Sequence, residues 1–213
     1  MHVGNLFERN NSFNKDLARK RGDFIGRIHS IQQELFFANP LVKLKMFSIY
    51  TTSFYGSSLW NIFTGPCEKL YTSWNISVRQ AFDLPRNSHR YFIEEISETP
   101  HPQVLLAQRF VKFHETLQIT QKYSVRFLSE LTSKNLATVY SQNLWNISLK
   151  CKGAQTSRDV KKMLKYAPVP EKDAWKVEVV KDLVEVKWNL SEIENIKINM
   201  DDIDDILESI CSS

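Results

Sequence analysis

The residues of this chain that carry chemistry are mostly cations set among aromatic rings. Along 12–38, a predicted helix bears Lys15, Arg19, Lys20, Arg21 and Arg27. Further on, Arg86-Asn87-Ser88-His89-Arg90-Tyr91-Phe92 concentrates two arginines, a histidine and two aromatics at a junction between helices. Guanidinium forks and planar rings suit phosphate and base contacts. They suit the capping of helix ends and the filling of a core equally well. The polar face of the first helix reads Lys15, Arg19, Gly22, Gly26, Ser30 and Gln33, with Lys20, Arg21 and Arg27 on its flanks. A glycine inside a helix costs about 1 kcal/mol relative to alanine, so two of them call for compensation. A smooth face flanked by cations admits a phosphate backbone. Gly22-x-x-x-Gly26 equally admits a second helix at close range.

Other chemistries lack their motifs. The chain has no glycine-rich phosphate loop, no HExxH and no Cys–His zinc pattern. His2, His29, His89, His101 and His114 have no metal-ligand spacing. The run Asp201-Asp202-Ile203-Asp204-Asp205 resembles a site for paired Mg²⁺ ions in type only. It falls on a helical pattern near a helix start, where the helix dipole accounts for aspartates. It is expected to be a solvated face.

Composition sets the frame. The chain has 213 residues, 42% hydrophobic and 24% charged, which describes a globular protein. Residues 1–150 hold 18 Lys and Arg against 11 Asp and Glu, whereas 151–213 hold 10 against 13. A basic body with an acidic tail suits a polyanion partner such as nucleic acid; a mildly basic surface with no partner fits the same numbers. Cys67, Cys151 and Cys211 are scattered, odd in number and without CxxC. That pattern, and a start without a basic-then-apolar leader, points to a reducing compartment: intracellular, nucleus or cytoplasm, not secreted.

The elements that position these residues read as helices. Leu17, Phe24, Ile28, Ile31 and Leu35 form one apolar stripe over 12–38. Pro40–Trp60 carries apolar residues on every face, and the expectation is a central helix buried on all sides. It reaches the length of a membrane span, about 20 residues, but Lys43, Lys45 and its hydroxyl-rich end argue against lipid. Further helices are predicted from Gly65-Pro66 to about Asp83, from Gln103 to about Ile119, and over 124–133, 136–150, 171–188 and 196–211. The fold class is all-α: a helical bundle with a small helical C-terminal appendage. The expected division is a junction at 1–11, a helical domain at 12–150, a linker at 151–170 and a C-terminal helical extension at 171–213.

Several segments, in order and spacing, resemble one family. They are Arg19-Lys20-Arg21-Gly22 with Phe24-Ile25; Ser53-Phe54-Tyr55-Gly56-Ser57-Ser58-Leu59-Trp60; Ser73-Trp74-Asn75 with Arg79; and Leu84-Pro85-Arg86 with His89-Arg90-Tyr91. Together they are similar to the thumb and post-thumb region of non-LTR (LINE-type) retrotransposon reverse transcriptases, over at least 3–150. The resemblance implies a thumb-like helical bundle that packs on a palm domain and holds an RNA/DNA template–primer duplex by backbone contacts. Lys15, Arg19, Lys20, Arg21, Arg27, Arg86 and Arg90 are the expected contacts. It implies a palm junction at Val3-Gly4-Asn5, and it makes Tyr55, Gly56 and Trp60 packing residues. It also implies that Mg²⁺ belongs to a palm outside this chain, so that these residues alone, with no cofactor of their own, do not polymerise DNA. The alternative is an orphaned helical interaction module that binds a protein partner.

Overall fold

The computed structural model describes residues 13–97, 99–135, 137–154, 156–191 and 200–212. The expected junction at 1–11 lies outside them. Among the described residues every regular element is helical, so the all-α bundle expected from periodicity is what the chain forms. The α-helices are α1 (Asn14–Glu34), α2 (Pro40–Thr51), α3 (Gly65–Ala81), α4 (Arg90–Ser97), α5 (Pro102–Ile119), α6 (Tyr123–Lys134), α7 (Val139–Lys150), α8 (Ser157–Met163), α9 (Ala174–Ser191) and α10 (Met200–Ser212). Short 3₁₀ turns lie at Ser57–Leu59 and Glu171–Asp173.

The chain divides into two compact units that interleave in sequence. The first comprises 1–25, 52–72 and 100–165, the second 26–51, 73–99 and 166–213.

In the first unit, α5 is the hub, and α6, α7, α8 and the 57–59 turn pack against it. Val104, Leu106, Ala107, Phe110 and Val111 are buried along its length. Its start is specified locally. His101 Nδ1 accepts the Gln103 N–H at 3.1 Å, and Pro102 occupies the first turn, where its missing N–H costs nothing. The stretch 151–170, expected as a linker, carries α8. A reciprocal Thr156–Asp159 capping box starts that helix, and Glu115 of α5 accepts the Ser157 N–H at 2.8 Å. Val160 and Leu164 are buried beneath it. The segment 60–62 is stapled by Asn143 of α7, which is fully buried. Its Nδ2 donates to the Trp60 carbonyl at 2.7 Å, and its Oδ1 accepts the Ile62 N–H at 3.1 Å.

In the second unit, α9 packs against α4 and α10, with Val180, Leu207, Phe92 and Ile93 at or near zero exposure. Glu94 accepts the Tyr166 N–H at 3.0 Å and the Ala167 N–H at 3.3 Å, tying the Ala-Pro-Val-Pro segment to α4. The aspartate run falls in the opening turns of α10, where Ile203 is buried and Asp204 and Asp205 are exposed.

The helix expected over 40–60 is corrected. It begins at Pro40, with Asn39 Oδ1 accepting the Leu41 N–H at 2.8 Å, but it ends at Thr51. Thr51, Thr52 and Ser53 are poor helix formers whose hydroxyls compete for backbone groups, and Thr51 bonds back to the Phe47 carbonyl. Gly56 then takes φ 78°, a left-handed conformation that ends any helical run. Nor is α2 buried on all sides. Leu44, Phe47 and Thr51 form the buried face, whereas Leu41, Val42, Ile49 and Tyr50 are exposed. Trp60 is a packing residue as expected, at 1% exposure, but Tyr55 is 73% exposed.

Candidate nucleic-acid interface

Helix α1 buries the stripe that its periodicity predicts. Leu17, Phe24, Ile28 and Ile31 are buried, whereas Lys15, Gly22, Gly26, Ser30 and Gln33 are exposed. In the first unit, Phe24 meets Phe54 with ring centroids 5.9 Å apart, and Phe54 meets Trp60 at 5.8 Å. The glycines face outward. A Cβ built on Gly22 or Gly26 meets nothing within 4 Å, so among the described residues no second helix packs on that face. Neither glycine has a positive φ; among the described glycines, those that do are Gly56 and Gly153. Among the described residues, neither close helix packing nor backbone conformation accounts for Gly22 and Gly26.

The cations around this face do different things. Lys15 is exposed, and Lys20 and Arg21 are half-buried on the flanks. Arg19 is committed inward. Its Nη2 lies 2.8 Å from Asp16 Oδ1, and Asp16 is fully buried, with Oδ2 accepting the Trp60 indole N–H at 3.2 Å. Removing Arg19 would take a counter-charge from a buried carboxylate, which is costlier than losing a surface cation. Asp23 is exposed close to this face and offsets part of its charge.

The other expected contacts belong to the second unit. Arg27 Nη1 donates to the Tyr50 carbonyl at 2.8 Å, capping the C-terminal turn of α2. Arg86 is exposed in the loop before α4. Arg90 Nη1 donates to the Tyr166 hydroxyl at 3.1 Å, and its guanidinium lies 5.8 Å from that ring. Tyr91 and Phe92 are buried and pack on each other at 4.5 Å. The Ser88 carbonyl accepts two bonds from Arg79, at 2.7 and 3.3 Å. Burial, and Arg90 beside it, lower the Arg79 pKa. Of the two roles open to the segment 86–92, capping and core filling account for Ser88, Tyr91 and Phe92 and leave Arg86, Asn87 and the exposed edges of His89 and Arg90.

One feature of the first unit escaped sequence reasoning. An open depression of about 350 Å³ is lined by Ser53, Phe54, Tyr55, Gly56, Ser57, Ser58, Arg109 and Phe113. The sequence places Arg109 on the exposed side of α5 but contains no signal joining it to the Ser53–Ser58 loop, more than 50 residues earlier. Among the described residues, no group of three or more His, Cys, Asp or Glu is arranged to hold a metal ion, and no helix is long and apolar enough to cross a membrane.

No protein-family model, no curated protein and no solved structure matches this chain.

Proposed function

We propose that this chain is a nucleic-acid-binding helical module that grips a phosphate backbone with the outer face of α1. The observation that carries this is the pair Gly22 and Gly26. They sit inside a 21-residue helix, exposed, with open space above them and cations beside them. A helix retains such glycines against their propensity cost where something from outside must come close. A polyphosphate chain meets that description, because cations attract it and the absent Cβ atoms let it approach.

In the setting of the family resemblance, the module is the thumb and post-thumb part of a retroelement RNA-directed DNA polymerase. The ligand is then a template–primer duplex, held without sequence preference, inside the cell. The palm, with its Mg²⁺, would be a partner in longer family members. Lys15, Arg19, Lys20, Arg21, Arg27, Arg86 and Arg90 are the proposed contacts, of which Arg19, Arg27 and Arg90 also hold positions within the fold.

The test is binding of an RNA–DNA hybrid at several salt concentrations. Log affinity should fall linearly with log salt, and replacing Lys15, Lys20 or Arg21 by Ala should make the slope shallower by about 1 for each cation removed. Absence of binding at low salt, or a flat salt response, rejects the proposal.

A second reading is favoured by α6. Tyr123, Phe127 and Leu131 share one face of that helix and are exposed, with Tyr123 and Phe127 stacked at 6.0 Å. An apolar face of this kind suits a protein partner. It predicts binding that the Lys→Ala and Arg→Ala changes leave untouched and that charged substitutions at Phe127 abolish.

A further inference from the structure

The depression beside Arg109 has the composition of a ligand site. The Arg109 guanidinium makes no hydrogen bond or ion pair with any described residue, and no carboxylate lines the cavity. The residue is exposed to solvent, yet partial burial of its guanidinium pulls its pKa below the ordinary value. It stays protonated under any ordinary condition, so the cavity holds a fixed and uncompensated positive charge. Around it, the hydroxyls of Ser53, Ser57 and Ser58 also have no partner among the described residues. They supply rotatable O–H donors next to the guanidinium fork. The rings of Tyr55 and Phe113 complete the wall, and Tyr55 is the more exposed.

We propose that this cavity binds a nucleoside phosphate. Arg109 holds the phosphate through its fork, serine hydroxyls donate to the remaining oxygens, and the Tyr55 ring stacks on the base. Three features select this ligand. An unpaired guanidinium among hydroxyls recognises a tetrahedral oxyanion. An exposed ring beside it adds a stacking surface that a simple inorganic anion does not use. A volume of about 350 Å³ leaves room for a sugar and base beyond the phosphate. The site stands apart from the α1 face: it uses none of the same residues, and either can fail without the other.

The shared chemistry, a phosphate next to a nucleobase, is offered both by a free nucleotide and by the 5′ end of a strand. Titrations of the full-length chain, followed by amide chemical shifts, would use four probes. These are adenosine 5′-monophosphate, a 5′-phosphorylated single-stranded trinucleotide, inorganic phosphate and a phosphotyrosine peptide. Saturable binding of either nucleotide probe is expected, with shifts centred on residues 53–58 and 109–113. The tighter of the two identifies the source. Arg109→Gln should weaken binding 10-fold or more, and Tyr55→Ala about 5-fold or more, while inorganic phosphate binds more weakly and ignores Tyr55. Both side chains are exposed, so both variants should keep the native helical spectrum, and a hydrogen-exchange profile matching the parent checks this. Saturable binding by neither nucleotide, indifference to both substitutions, or preference for the phosphotyrosine peptide would overturn the assignment. Hybrid binding by α1 that persists in Arg109→Gln separates this site from the first.

Discussion

The glycine pair on α1 yields a prediction with opposite signs for stability and for binding. Gly22→Ala and Gly26→Ala each place a methyl group where, apart from the helix's own neighbouring residues, no heavy atom of a described residue lies within 4 Å, on a backbone without positive φ. No strain and no clash oppose the change. What remains is the helix-propensity gain, about 0.8–1 kcal/mol per site, because alanine loses less backbone freedom on folding than glycine. The two sites are one turn apart and touch nothing in common, so the double variant should gain about 1.5–2 kcal/mol. Urea titration followed by circular dichroism at 222 nm would show a raised midpoint with an unchanged slope. Hybrid affinity measured on the same samples should fall several-fold, since two methyl groups now hold the phosphates away. A neutral or negative stability change would mean the face is occupied, contrary to the geometry. A stability gain with unaltered hybrid affinity would remove the observation on which the α1 interface rests.

Asn143→Leu keeps the branching and heavy-atom count of the side chain but strands the Trp60 carbonyl and the Ile62 N–H in the core. It should cost about 3 kcal/mol in the same urea assay, and a loss below about 1 kcal/mol would show that the staple is dispensable. Burial pushes the Cys67 thiol up to about 12 and raises Cys151 and Cys211 as well. A thiol reagent at pH 8 should therefore modify none of the three in the folded chain and all three in urea; prompt labelling of Cys67 would contradict this. His114, with its ring nitrogen hydrogen-bonded to the Tyr140 hydroxyl, has its pKa lowered from 6.5 chiefly by burial, with Glu115 opposing. The unfolded chain therefore takes up this proton first. Its contribution is complete above the unfolded pKa and is lost as pH falls through the folded one. The urea midpoint should drop between pH 7 and pH 5, and His114→Gln should flatten the drop; an unaltered pH profile would refute the assignment.

Much of the helical framework could be read from the chain alone, because helices announce themselves locally. The stripe Leu17, Phe24, Ile28, Ile31 repeats at the helical period and is buried as that period requires. Pro102 and the Thr156–Asp159 box mark starts that depend on residues within one turn. Where sequence reasoning failed, distant residues or competing local terms decided. The apolar wheel of 40–60 said nothing of how much neighbouring surface existed to cover it, and half of α2 remains exposed. The segment's end at Thr51 was set by hydroxyl and glycine chemistry that the hydrophobic count outweighed on paper.

The same boundary divides the candidate sites. Sequence alone determined that the chain is helical, that α1 has a basic face, and that its glycines need a reason. Periodicity and residue type suffice for each of these. Tertiary structure alone decided which cations are spent inside. Arg19 is drawn to a carboxylate that Trp60 helps to bury, 44 residues on, and Arg27 to a carbonyl 23 residues on. It alone placed Arg109 against the Ser53–Ser58 loop, and it alone showed the space above Gly22 and Gly26 to be open. Charge and spacing are properties of a chain. Whether a charge is already answered, or a gap already filled, depends on which remote segments the fold brings near.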